Sequence, residues 1–206
     1  MFITTTQPTV EPVSIDEAKL HCRIDVDEDD ALIASLIKTA RQHCEIFTGR
    51  AFVQRTLQLN CKRWPSRNML FLPRPPLVSV TSVIYYLTDG TPITLAAGTD
   101  YLVDTDSEPG AIVLPYGKSW PTNTLYPLNP IRIKYVAGYP ATIVAPFDYK
   151  VNIPDYLKSA ILLCVGNWYE HREAVLPAGH VGKELPMGVQ SLLWQERVFW
   201  GEELNK

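Results

Sequence analysis

"DVDEDDALIASLIKTARQHCEIFTG", Asp25 to Gly49, is the stretch whose reading settles the fold. Five of its first six residues are acids, and the rest turns apolar. Two structures begin this way, a calcium loop and a helix N-terminus. An EF-hand loop needs oxygen ligands at positions 1, 3 and 5, glycine at 6 and a bidentate glutamate at 12. Asp25, Asp27 and Asp29 meet the first condition, but position 6 is Asp30 and position 12 is Leu36. A helix accounts for more of the residues. First-turn carboxylates suit the positive end of the helix dipole. Ile33, Leu36, Ile37, Ala40, Cys44 and Phe47 recur at steps of three and four, and Gly49 stands where a C′ glycine belongs. The stretch predicts a helix near Glu28–Thr48, about 30 Å long at the usual rise per residue.

On its N-terminal side, "SIDEAKLHCR" places Glu17 three residues after Ser14, a capping box that predicts a short helix over Ser14–Cys22. Its buried stripe is expected to be Ile15, Ala18 and Cys22. Beyond Ala51 the apolar period changes to two. "TLQLNCKRW", "LVSVTSVIYYL", "TPITL", "DYLVD", "AIVLP" and "PIRIKYVAGY" read as strands, the last ending at Gly138. Asp89-Gly90 and Glu108-Pro109-Gly110 mark turns between them. "LPRPPL" (72–77) and "SWPTNTLYPLNP" (119–130) are Pro-rich joints. Helical spacing returns after Pro154 with Leu157, Ile161, Cys164, Val165 and Trp168, ending near Glu173. A last amphipathic helix is expected over about Val189–Val198, with Leu192, Leu193 and Leu185 inward. The order predicts an α+β fold: a bundle of about four helices with an antiparallel β subdomain of five to seven strands inserted between helices two and three. The expected division is 1–50 and 151–198 for the bundle, 51–150 for the β subdomain with its Pro-rich arms, and 199–206 for a tail.

Bulk properties restrict function. The chain has 206 residues, 46% hydrophobic and 20% charged, with net charge −3. That suits a packed core and not a general nucleic-acid binder. No apolar run is long enough to span a membrane, and "MFITTTQPTVEPVS" lacks the pattern of a signal peptide. Cys22, Cys44, Cys61 and Cys164 form no C-x-x-C pair and read as free, mostly buried thiols. His21-Cys22 and His43-Cys44 suggest zinc, but adjacent helical residues point in different directions and do not chelate one ion. Cys44 as a nucleophile beside His43 or His21 is formally possible, yet Cys44 falls on the apolar stripe. Glu170, His171 and Glu173 read as solvated charges. No catalytic, cofactor or metal site is expected. Trp64, Trp120, Tyr126, Tyr139, Trp168, Tyr169, Phe199 and Trp200 read as core or protein-interface aromatics, with few basic residues interleaved for base stacking.

The blocks of the chain resemble a known family. "EPVSIDEAKLHCRIDVDEDDALIASLIKTARQHCEIFTGRAF" is similar to the N-terminal signature of phage head–tail connector (adaptor) proteins of the gp6-like/gp15-like group, phiE125 gp8-type. "LPRPPLVSV", PG-x-IV, "WP", I-x-Y-x-AGY, P-x-x-LK-x-A-x-L, WYE-x-RE and LP-x-GV follow in the family's order. The resemblance implies a non-enzymatic virion protein at the head–tail interface, assembled in the host cytoplasm. It implies a ring of twelve copies beneath the portal protein. Such a ring extends the channel for double-stranded DNA without sequence-specific binding, and offers a surface to the next neck, stopper or tail protein. The family fold is a helical bundle with variable insertions. By analogy with the family's C-terminal tails, Arg197, Phe199, Trp200, Glu202 and Leu204 are candidates for portal docking. Asp25, Asp27, Glu28, Asp29 and Asp30 are candidates for a subunit seam or a channel-facing surface. A tail-completion or tail-terminator protein is the alternative, with a thiol- or metal-dependent enzyme behind it.

Overall fold

The structure is a computed structural model that describes residues 2–4, 6–144, 148–171 and 187–199. Its elements run β1 (Phe2–Thr4), α1 (Ile15–Cys22), α2 (Asp30–Thr48), β2 (Arg55–Cys61), β3 (Met69–Phe71), β4 (Leu77–Tyr86), β5 (Pro92–Leu95), β6 (Leu102–Asp104), β7 (Ala111–Val113), β8 (Ile131–Ala137), β9 (Ala141–Val144), β10 (Asp148–Val151), α3 (Asp155–Glu170) and α4 (Met187–Trp194). The fold class is α+β as the pattern predicts, with four helices and antiparallel sheets. Two compact units divide the described chain. One comprises the N-terminal residues through Pro8, Gly49–Tyr139 and the residues from Val198 on; the other comprises Thr9–Thr48 and Pro140–Arg197.

The β unit holds two antiparallel sheets, a five-stranded one in the order β1-β2-β8-β4-β5 and a three-stranded one in the order β3-β7-β6. Alternation decides which face is covered. On β8, Ile131, Ile133, Tyr135 and Ala137 are buried while Arg132 and Lys134 face outward. Leu57 and Leu59 of β2, Val83 and Tyr85 of β4, Leu70 of β3 and Ile112 of β7 complete one core. Each such large apolar side chain contributes roughly 1.5–3 kcal/mol on burial. The indoles of Trp64 and Trp120 stack at 4.7 Å with 5° between their planes, and the Trp120 N–H donates to the Arg67 carbonyl at 2.8 Å. Gly138 has φ 115, and a Cβ there would meet the backbone of Val53 and Gln54. Only glycine fits this crossing.

The joint "LPRPPL" is not an arm. Leu72 and Leu77 are buried in the core, and the carbonyls of Pro73, Pro75 and Pro76 accept hydrogen bonds from Tyr135, Ala51 and Gly138. Its prolines lack N–H donors but keep their carbonyls, so they serve as acceptors inside the unit. "SWPTNTLYPLNP" is anchored at Trp120 and by the bond from Tyr126 N–H to the Tyr86 carbonyl, while Leu128 stays exposed.

In the helical unit α2 packs on α3, with α1 and α4 against both. Ser14 and Glu17 make both bonds of the capping box at 3.1 and 2.8 Å. Only Ala18 of α1 is fully buried; Ile15 and Cys22 are half-buried, because an eight-residue helix resting on two neighbours shields no long stripe. The apolar stripe of α2 is buried at Ile33, Ile37, Ala40 and Cys44, and Leu36 is half-covered. Gly49 ends this helix with φ 75. In α3, Leu157, Ile161, Cys164 and Val165 are buried, with Trp168 at the margin. Val189 and Leu193 anchor α4; Leu185 lies outside the described residues.

Three elements depart from the sequence pattern. Phe2–Thr4 forms an edge strand on β2, where only the bundle was expected. β3 is a three-residue strand too short to show a period. The hairpin of β9 and β10 follows Gly138 and groups with the helices, so the β unit ends at Tyr139 and not near 150. Asn152 N–H closes the hairpin's base on the Pro140 carbonyl at 3.0 Å.

Candidate functional site

The acidic run lies at the entrance to α2. Asp30 N–H donates to the Asp27 carbonyl at 3.1 Å and Ile33 N–H to the Asp29 carbonyl at 2.9 Å, which winds the first turn. Three of the five acids are engaged inside the unit. Lys19 of α1 reaches Asp27 at 2.5 Å and Asp30 at 3.0 Å. Tyr169 of α3 donates its hydroxyl to Asp29 at 2.5 Å. The hydrogen bonds to Asp27 and Asp30 hold the Lys19 ammonium well above its ordinary pKa, and Lys19 in turn holds the Asp27 carboxyl below the usual range. Asp25 and Glu28 face solvent. Among the described residues no group of three or more His, Cys, Asp and Glu could hold a metal ion.

A second charged site lies in the middle of α2. Arg41 is 1% exposed and donates to Glu11 through Nε at 2.5 Å and Nη2 at 3.1 Å, and to Glu45 through Nη1 at 3.0 Å. Burial opposes the charged guanidinium, but the two carboxylates outweigh it and hold its pKa above the ordinary value. The pair Arg41 and Glu45, four residues apart on an otherwise apolar stripe, was the available signal in the sequence. Its third member, Glu11, sits thirty positions away and cannot be found by spacing.

The thiols are poorly placed for chemistry. Cys44 and Cys164 are fully buried on α2 and α3. Contact with Cys164 and then burial push the Cys44 thiol well up, away from a thiolate. Burial, with Glu170 nearby, also raises Cys22. His43 packs edge-on against Trp168 at 5.9 Å, and His21 lies where α1 crosses Gly166.

At the C-terminal end of the helical unit the structure assembles an exposed aromatic patch. Trp194 of α4 is 57% exposed and tilts against Phe47 of α2 at 6.4 Å. The Arg197 guanidinium lies 5.2 Å from both rings, and Ile46 beside them is 70% exposed. Glu196 accepts from the Tyr156 hydroxyl. Of the C-terminal candidates, Arg197 therefore has a defined place and Phe199 is 65% exposed. Trp200, Glu202 and Leu204 lie outside the described residues. Phe47 and Trp194 escaped the sequence reading because each looks like an ordinary helical core position. Among the described residues no helix is long and apolar enough to cross a membrane.

Residues 12–72 match the family model described as phage gp6-like head-tail connector protein. No curated protein matches the chain. Solved structures share its fold along its whole length. A chain from the neck of a native gene transfer agent (GTA) particle, computed with C12 symmetry, superposes with TM-score 0.76 at 22% identity and full coverage of both chains. One from the neck of the empty GTA particle, computed with C6 symmetry, gives 0.74 at 22% identity, again over both chains in full. One from the virion of the native GTA particle gives 0.75 at 22% identity over 98% of each.

Proposed function

We infer that this chain is a structural head–tail connector of a tailed phage or phage-like particle. In this role it forms a ring on the portal, extends the DNA channel and offers an attachment surface to neck or tail proteins. The observation that carries the reading is the connector-family match over residues 12–72, which spans α1, α2, β2 and β3. Likeness of fold to chains from GTA particle necks supports it over the remainder. The two neck particles were computed with C12 and C6 symmetry, and a twelve-copy ring of this chain is the corresponding assembly. The role is structural and asks no catalysis of the chain.

A ring subunit needs a surface for the portal. Trp and Arg dominate interface energetics when a partner desolvates them. The patch of Phe47, Trp194 and Arg197 has this composition. Together with Phe199, Trp200, Glu202 and Leu204 it is the portal-docking candidate. Double-stranded DNA passes such a ring without sequence-specific binding. On this reading the protein resides in the virion, at the joint of head and tail, after assembly in the host cytoplasm.

The test is electron microscopy of particles from a genome with a stop codon in this gene. Heads that lack tails, beside separate finished tails, are the expected result. Infectious particles of normal form would overturn the reading, and complete heads bearing ragged or overlong tails would assign the chain to tail completion. Ending the chain at Val198 should leave the fold intact and lower occupancy on portal-bearing heads; undiminished occupancy would refute docking by the terminal segment.

A further inference from the structure

Charge is divided along this chain. Residues 49–139 carry nine Lys and Arg against five Asp and Glu, whereas residues 9–48 carry four against nine. No acid occurs between Glu45 and Asp89 or between Glu108 and Asp148. Strands β2, β4, β5 and β8 therefore contain none, although they form most of the five-stranded sheet.

The two cations of β8 share one face, while Arg55 of β2 lies on the other, in register with Ala137. Arg132 and Lys134 alternate with buried Ile131, Ile133 and Tyr135, so they stand on the side opposite the core. The register sets Gln58 and Ser82 on either side of Lys134, and Asn60 and Ile84 on either side of Arg132. The Arg132 guanidinium lies 4.5 Å from the centre of the Tyr86 ring. β8 begins opposite Cys61, so Arg132 lies beside the root of the loop that carries Lys62, Arg63 and Arg67, all exposed. The result is a surface with five exposed cations, Lys62, Arg63, Arg67, Arg132 and Lys134.

Two copies of this surface repel each other, so it is unsuited to a twofold contact. In a rotational ring each contact joins one patch to a different patch on the next copy. The acidic entrance to α2, with Asp25 and Glu28 exposed, supplies the opposite sign on the same chain. We propose that the outward face of β8 with the loop after β2 docks against the acidic α2 entrance of the neighbouring copy. This assigns the acids to the subunit seam and rests on the connector reading. The phosphate backbone of DNA is the other polyanion such a face fits. A ring of copies each presenting five cations to the channel would retain DNA through counterion release, which opposes passage. Engaging cations of this face between copies lessens that obstacle.

The test uses two charge-reversed chains, Arg63→Glu with Lys134→Glu, and Asp25→Lys with Glu28→Lys. Ring formation by the purified full chain, alone and on purified portal protein, is followed by sedimentation and negative-stain microscopy. Each variant by itself should need a concentration about 10-fold or more above wild type to assemble, since every seam then sets the substituted positions against like charge. Mixed in equal amounts they should assemble at close to the wild-type concentration, because an alternating ring brings the substituted positions of one variant against opposite charge on the other. That recovery also shows that both variants fold. If each variant assembles as wild type does, or the mixture does not recover, the seam is overturned. Normal rings of Arg63→Glu with Lys134→Glu that lose salt-sensitive binding to a 30-base-pair DNA duplex would overturn it in favour of DNA. Absence of rings from wild type under both conditions would bring down the connector reading itself; rings with indifferent variants would leave that reading standing.

Discussion

Among the described residues, Tyr135 and Arg41 are the two largest fully buried side chains, one in each unit. Tyr135 sits among apolar strands, and its hydroxyl donates to the Pro73 carbonyl at 2.9 Å. Burial pushes its pKa well up, so it stays neutral. Arg41 is charged and lies between two carboxylates. The β unit thus buries a polar tip that needs one acceptor, whereas the helical unit buries an ion that needs two partners, one on its own helix and one thirty positions away. A strand sandwich gains its register from alternation over seven or ten residues. Short helices can slide or rotate on one another, and an ion triad fixes one arrangement, because any other leaves charge without a counter-charge.

The sharpest way to break this contrast is Arg41→Met. It leaves Glu45 buried without its cation and should cost the helical unit about 3–5 kcal/mol in urea unfolding. Combining it with Glu11→Gln and Glu45→Leu should recover most of that loss; no recovery would mean that Arg41 acts by volume and not by charge. In the β unit the corresponding test is Gly138→Ala. A Cβ there enters the Val53–Gln54 backbone at positive φ, for a loss of roughly 2 kcal/mol or more. Fluorescence of Trp64 and Trp120 should report that loss, since both lie in the β unit. Ser14→Ala removes one bond of the capping box and should cost about 1 kcal/mol, within the helical unit.

The smallest effect is that of Asp27→Asn, and it is a matter of pH. Asp27 titrates below its ordinary value in the folded chain, so its contribution is present above the usual carboxylate range near ~4 and is lost as pH falls through the lowered value. Lys19 titrates above its ordinary value, so its share is complete below the usual lysine range near ~10 and is lost as pH rises beyond it. Unfolding midpoints of wild type and variant should differ slightly and evenly from pH 5 to 9, and converge in acid. A gap that persists below about pH 3 would show that the side chain acts by shape.

Much of the fold was legible because local rules and tertiary packing agree. The cap at Ser14, the glycine after α2, the Asp89-Gly90 hairpin and the turn at Glu108-Pro109-Gly110 each rest on a few neighbouring residues. The failures have physical reasons too. "LPRPPL" looked like a linker by composition, but Leu72 and Leu77 supply core side chains and the prolines supply acceptors. β3 was too short for a period. The acidic run was read correctly as a helix start, yet its engagement with Lys19 and Tyr169 depends on how α1 and α3 cross α2.

By itself the sequence determined the helices, most strands, the absence of a calcium loop at Asp25 and the segregation of charge between residues 9–48 and 49–139, since these depend on residue type and spacing. Only the tertiary structure decided that β8 lies between β2 and β4, that Glu11 meets Arg41, and that Phe47, Trp194 and Arg197 share one patch. Those partners stand tens of residues apart. Their meeting reflects the closure of long loops around a common core, and no local period encodes it.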